Sequence, residues 1–218
     1  MKRVIATVAL AGLAALGAAA LPAQDESKPG PTVIRLSTDE VVAQFTFEKG
    51  PKLTVTSKPS AVKPGSYTVK SLSLFKKDEK GRTWEVRSVA GGLDTLATLT
   101  IDPGQEKILL LGSKIAIRVT GQPGSSDSRL YISFIGKSSE RYIPGAYLDG
   151  RRSPAPVITI KDADGKVIGG GAITVSDSGL SSFNWKPPAG FKGALTVDVK
   201  VQMGPFETVL AQSPMTVK

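Results

Sequence analysis

The chain has 218 residues, 28 Lys+Arg against 19 Asp+Glu, a formal net charge of +9, 40% hydrophobic and 6% aromatic residues, and neither His nor Cys. This balance belongs to a globular chain, neither disordered nor fibrous. The two missing residue types exclude disulfides, thiolate nucleophiles, CxxC motifs, zinc fingers and iron–sulfur ligation. They also exclude Ser-His-Asp and Cys-His catalysis. Carboxylate chemistry, Ser-Lys chemistry and oxygen-ligated calcium or magnesium remain.

Lys2 and Arg3 open a short basic region, and Val4 to Leu21 is apolar or Gly apart from Thr7. Leu21-Pro22-Ala23 then places a small residue before polar Gln24. This is the layout of a secretory signal peptide, with cleavage expected after Ala23. The competing reading is a membrane anchor, but Ala and Gly dilute the run and no second long apolar run follows. The processed chain is therefore expected to be exported, without stable membrane insertion. With no disulfides it must be held by ordinary core burial.

Beyond the signal, short β-rich runs recur between turn residues. Val41, Ala43, Phe45 and Phe47 share one parity, as do Leu53 and Val55, then Ile115, Ile117 and Val119, then Leu195, Val197, Val199 and Val201. Period-two alternation sets one face on a core and one in water, as in antiparallel sandwiches. Tyr67–Phe75 changes phase, which predicts a bulge near Lys70-Ser71. Lys76–Arg82 reads as a charged hairpin tip. Leu130–Ile135 is apolar on both parities, which predicts a central or covered strand. Asp162-Ala163-Asp164-Gly165 reads as a tight hairpin turn. About a dozen strands or slightly more, of ordinary length, are expected. The fold class is all-β, with two tandem antiparallel β-sandwich (Ig-like) domains after the signal peptide. The expected boundaries are 1–23 for the signal, 24–111 for the first sandwich and 112–218 for the second.

Val62–Val69, VKPGSYTV, resembles a strand start of carboxypeptidase-regulatory-like and Cna-B-type sandwich modules, and Asp102-Pro103-Gly104-Gln105 before Ile108–Leu110 is similar to a turn of those modules. Cna-B modules often carry a Lys–Asn isopeptide bond; the one Asn of this chain, Asn184, lies outside that unit. The second half, with Phe134-Ile135-Gly136, Glu140-Arg141-Tyr142, ITIKDADGKVIGGGAIT and SSFNWKPPAGFKGALTVDVKV, resembles secreted bacterial proteins with Ig-like C-terminal domains. That resemblance implies a fold and an exported location, and it brings no catalytic residues.

Each candidate chemistry has a plainer rival. Ser60-Ala61-Val62-Lys63 fits S-x-x-K, but Pro64 and a strand follow where a helix is needed. Asp162 and Asp164 make a calcium-loop fragment with too few oxygens, and a hairpin explains them. A carboxylate pair for glycoside hydrolysis depends on spatial pairing, and the acids are few. Trp84 shares parity with Val86 and Trp185 with Phe183, which reads as core rather than sugar platforms. Net charge is +4 over residues 24–90, zero over 91–150 and +3 over 151–218, with no block of five like charges. That pattern argues against a nucleic-acid tail.

Gly136–Pro156 is the longest irregular stretch, and long irregular loops are often functional. Arg141, Tyr142, Tyr147, Arg151 and Arg152 cluster there as a candidate ligand-binding set. The rival reading is a loop clamped onto its own sandwich by the tyrosines. No catalytic residue, metal ligand or cofactor is expected. The expected role is non-enzymatic, structural or interactive, in the bacterial cell envelope: periplasm, cell surface or medium. An envelope protein or polysaccharide is the expected kind of partner, with no nucleic acid. The alternatives are a carbohydrate- or polyanion-binding module using the 136–156 loop, and a carboxylate-only hydrolase.

Overall fold

The computed structural model describes residues 30–121, 128–176, 181–212 and 215–217. The expected signal peptide, 1–23, lies outside the described residues. In chain order the strands are β1 (Val33–Leu36), β2 (Val42–Phe47), β3 (Leu53–Val55), β4 (Ser60–Ala61), β5 (Gly65–Lys77), β6 (Thr83–Arg87), β7 (Thr98–Ile101), β8 (Glu106–Leu109), β9 (Lys114–Gly121) and β10 (Ser128–Ile135). They continue as β11 (Arg141–Tyr142), β12 (Tyr147–Leu148), β13 (Arg151–Arg152), β14 (Val157–Lys161), β15 (Val167–Ala172), β16 (Thr174–Val175), β17 (Ser181–Trp185), β18 (Gly193–Lys200), β19 (Glu207–Gln212) and β20 (Met215–Val217). One turn of 3-10 helix, Asp94–Leu96, is the only helical piece among the described residues. The protein is all-β.

Among the described residues four sheets form, ordered β13-β12-β6-β5-β2-β3 with β7 on β5, β4-β1-β8, β16-β17-β10-β9-β19 with β11 on β10, and β15-β14-β18-β20. Most pairings are antiparallel. Two are parallel, β1 with β8 and β19 with β9. Parallel neighbours need a crossover between them, and here the intervening chain builds other sheets. The described residues hold twenty strands rather than a dozen or slightly more, in part because five are two-residue pairings of loops locked onto sheets. Pairings that short leave no period-two pattern to read.

The alternating runs become the core. Ala43, Phe45, Leu72, Leu74 and Val86 of one sheet, Ile34 and Leu36 of the next, and Ile115, Ile117, Leu130 and Ile132 of the third are all essentially inaccessible. With Ile158, Ile160, Val197 and Val217 of the fourth they form one continuous cluster. Each such burial contributes about 1.5–3 kcal/mol. This layering is consistent with a β-sandwich. Trp84 and Trp185 are both buried, 6% and 5% exposed. The Trp185 indole N–H donates to the Ile168 carbonyl, which lays β15 against β17. Leu130, Ile132 and Phe134 point inward from the central strand β10, whereas Tyr131 on the other face is 46% exposed.

Two hairpins share one device. Asp162 Oδ1 accepts the backbone N–H groups of Asp164 and Lys166, and Gly165 takes φ +79°. Asp78 Oδ1 accepts those of Lys80 and Arg82. A short carboxylate reaching forward to its own turn is the reason Asp favours such positions. The Trp84 indole N–H on Asp78 Oδ2, with Arg82 beside it, holds the Asp78 carboxyl down at about 2. The phase change in β5 is a bulge. Thr46 faces Ser71 while Phe47 faces Val69, so Lys70 is the extra residue.

Trp84 also joins the two halves of the chain. The turn before β19 brings Gly204 under its ring, where a Cβ at Gly204 (φ +57°) would lie 2.3 Å from Trp84 Cδ2. A rigid indole buried on β6 cannot move aside cheaply. Gly204→Ala is therefore expected to lower stability by about 1–3 kcal/mol. Because the core is continuous, single-tryptophan proteins carrying Trp84→Phe or Trp185→Phe should each unfold at the same temperature by fluorescence and by far-UV circular dichroism. An earlier fluorescence transition in either would show that the halves unfold separately.

Candidate functional site

The 136–156 segment starts as a tight turn after β10. Gly136 N–H donates to the Glu140 carbonyl at 2.8 Å, and Ser139 adopts φ +66°. The Glu140 side chain folds back under this turn and is fully buried. Its Oε1 accepts the Tyr142 hydroxyl at 2.7 Å and its Oε2 accepts the Ser138 backbone N–H at 2.8 Å. Only glycine fits at 136, since a Cβ there would lie 1.9 Å from Glu140 Oε1 and 2.8 Å from the Tyr142 ring. Burial pushes the Glu140 carboxyl above its ordinary value, and the hydrogen bonds from Tyr142 and Ser138 oppose that only in part. Burial, followed by the neighbouring Glu140, also pushes the Tyr142 hydroxyl well up.

From Arg141 the chain pairs with the first half. Arg141 N–H donates to the Gly92 carbonyl at 2.6 Å, Val89 N–H to the Arg141 carbonyl at 2.9 Å, and Ile143 N–H to the Arg87 carbonyl at 2.8 Å. Ser88 and Tyr142 form a bridge across this seam. Two residues at positive φ, Asp149 (+49°) and Gly150 (+77°), then turn β12 back onto β13. Positive φ at both central positions is what a type I′ hairpin requires. β12 itself adds to β6, with Tyr147 opposite Glu85 and Leu148 opposite Trp84. Residues 147–152 thus extend the sheet that holds β6, while Arg141–Tyr142 pairs with β10 and bridges to Ser88.

The five candidate residues part company here. Tyr142 is 1% exposed, with its hydroxyl occupied by Glu140. Tyr147 is half-buried, and the Arg87 guanidinium lies over its ring at 4.0 Å. Arg87 is in turn fixed by Glu85 at 2.7 Å. The Glu85 carboxyl sits low: burial raises it, but Arg87 and Ser73 more than offset that. Arg151 and Arg152 are exposed, and Arg152 Nη2 donates to the Pro144 carbonyl at 2.9 Å. Both line an open depression of about 570 Å³ with Trp84, Leu148 and Gln202. Arg141 is exposed too, but it lines a different depression, of about 640 Å³, with Arg118, Thr120, Ser133 and Asp94.

A third hollow, of about 470 Å³, lies among Thr38, Glu40, Leu111, Ser113, Lys137 and Val209. Ser113 Oγ donates to Glu40 Oε2 there, and that bond holds the Glu40 carboxyl low. Among the described residues no three acidic groups converge in a way that would hold a metal ion. No buried side-chain nitrogen or oxygen among them lacks a partner. No protein-family model, curated protein or solved structure matches this chain.

Glu140 allows a sign-determined test. An acid raised in the folded state favours the fold in its protonated form. Its contribution is complete below the ordinary value near 4.5 and is lost as pH rises through the raised value. Glu140→Gln has no titration, but its one amide oxygen cannot serve both Tyr142 and Ser138. The variant should be less stable than wild type by about 1–3 kcal/mol at pH 4. That gap should shrink by pH 8 in urea unfolding; a gap that widens with pH would contradict the reading.

Proposed function

We propose that the chain is an exported, non-enzymatic protein of the bacterial cell envelope, built as two tandem Ig-like sandwiches, with a structural or interaction role. The observation that carries this reading is how its carboxylates are engaged. Glu106 pairs with Arg35 at 2.7 Å, Asp78 with Arg82 at 2.8 Å, Glu85 with Arg87 at 2.7 Å and Asp198 with Lys161 at 2.6 Å. Glu140 holds Tyr142 and Ser138, and Asp162 holds its own turn. With no imidazole or thiol in the chain, acids were the main route left to catalysis, and these serve the fold. The N-terminal basic-apolar-small pattern supports export, and the resemblance of Val62–Val69 to sandwich modules supports the domain reading.

Within the 136–156 segment the geometry favours the clamp. Tyr142 faces the core, Tyr147 lies under Arg87, and the backbone of 141–148 is paired. Tyr147→Ala should therefore lower thermal stability by about 1–2 kcal/mol, from the lost cation–π contact and burial. Unchanged stability together with lost polysaccharide binding would instead make that loop the ligand site.

The wider proposal is tested by fractionating cells that express the full chain. The protein should be recovered outside the cytoplasm with its N-terminus at Gln24, read by mass spectrometry. Recovery in the cytosol with residues 1–23 retained would overturn it.

A further inference from the structure

One sheet face is not accounted for by folding. On the outer side of the β16-β17-β10-β9-β19 sheet, residues opposite one another share a face, so the registers arrange the side chains in rows. Arg141, Ile135, Ala116 and Val209 form the first row, and Ser133, Arg118 and Ala211 the second. Ser182, Tyr131 and Thr120 form the third, and Asn184 and Arg129 the fourth. Rows are about 7 Å apart along the strands and neighbouring strands about 4.8 Å apart. Travelling along the strands, a ligand meets Arg141, Arg118, Tyr131 and Arg129 in turn.

Three features of this face point the same way. Tyr131 is 46% exposed at the centre of the sheet, flanked by hydroxyl and amide groups rather than by other apolar side chains. Arg118, Arg129 and Arg141 are exposed and form no ion pair with any described residue, although Arg129 Nε is steadied by Asn184 Oδ1 at 3.0 Å. Among the described residues the acids near them are Asp94, at the rim of the Arg118–Arg141 depression, and Glu207, already paired with Lys114 at 3.5 Å. Among the described residues the face is thus basic and rich in hydrogen-bonding groups, with one ring set among guanidinium forks and a depression of about 640 Å³ between Arg118 and Arg141.

We propose that this Tyr131-centred face binds an acidic polysaccharide. A guanidinium fork matches a sugar carboxylate or sulfate in two parallel hydrogen bonds. The negative face of a tyrosine ring accepts the C–H face of a pyranose. Ser133, Thr120 and Ser182 are placed to exchange hydrogen bonds with sugar hydroxyls. Charge complementarity selects the occupant. Insertion into a lipid surface calls for an apolar ridge, and the large aliphatic residues of this face, Ile135 and Val209, lie at one end in a single row. The inference deepens the envelope-interaction reading by naming a partner chemistry, and it rests on that reading for its biological setting alone.

The test uses the mature full chain and alginate, a polyuronate, with dextran of similar size as the neutral control. Alginate should bind and dextran should not, with affinity falling as salt rises. Tyr131→Ala and Arg118→Ala should each weaken alginate binding by about tenfold while far-UV circular dichroism shows both variants folded at the temperature of the binding measurement. Arg118→Lys should recover only part of the loss, because it keeps the charge and not the fork. Lys166→Ala with Lys200→Ala, in the β14–β15 turn and on β18 respectively, should bind as wild type. The proposal fails if the face variants bind alginate normally, if Lys166→Ala with Lys200→Ala loses as much, or if Arg151→Ala with Arg152→Ala alone abolishes binding. It fails equally if the chain binds phosphatidylglycerol vesicles through these residues and not alginate. Cytosolic location would sink the envelope reading and leave these binding results standing.

Discussion

The arrangement depends on a backbone seam between residues 84–92 and residues 141–148. Hydrogen bonds from Arg141, Ile143 and Val89, followed by the β12–β6 ladder, graft a segment of the second half onto a sheet of the first. Buried peptide groups must be paired, so once this stretch is covered its partners are committed. The inward turn of Tyr142, the hydrogen bond it gives Glu140, the stacking of Arg87 on Tyr147 and the close approach of Gly204 to Trp84 all follow from that attachment. What looked from the chain order like a long connection is a structural joint.

Carboxylates play two opposite parts around this joint. Asp78 and Asp162 sit at surface turns where backbone N–H groups converge on one carboxylate oxygen, and at Asp78 the Trp84 indole, followed by Arg82, favours the charged form. Glu140 is closed off from water with two donors and no cation. A group in that position is costly to ionise and costly to lose. It accepts the hydroxyl of Tyr142, which is itself buried in the core.

The faces of the strands were legible and their partners were not. The parity of Ile115, Ile117 and Val119 and of Ala43, Phe45 and Phe47 assigned them to the interior, and Asp162–Gly165 was readable as a turn because its chemistry is local. The bulge at Lys70 also left a local trace, a slip of one residue in the apolar pattern. Pairing of β12 with β6 left none, since two residues carry no period and contacts across some sixty positions depend on tertiary packing. Glu140 misleads for the same reason: a carboxylate beside Ser138, Ser139 and Arg141 reads as solvated. Tyr131 was counted among the apolar residues of Leu130–Ile135, and only the register against Thr120 and Ser182 reveals its polar setting.

β13 is the outermost strand of its sheet, and it consists of Arg151 and Arg152 alone. Its unpaired backbone groups would otherwise template the addition of a foreign strand. Two adjacent guanidinium groups, short length and a type I′ hairpin behind them leave little for a second copy to zip onto, and like charges would meet across any such contact. The hairpin that secures the joint thus also terminates the sheet, and it disfavours fibrillar self-association.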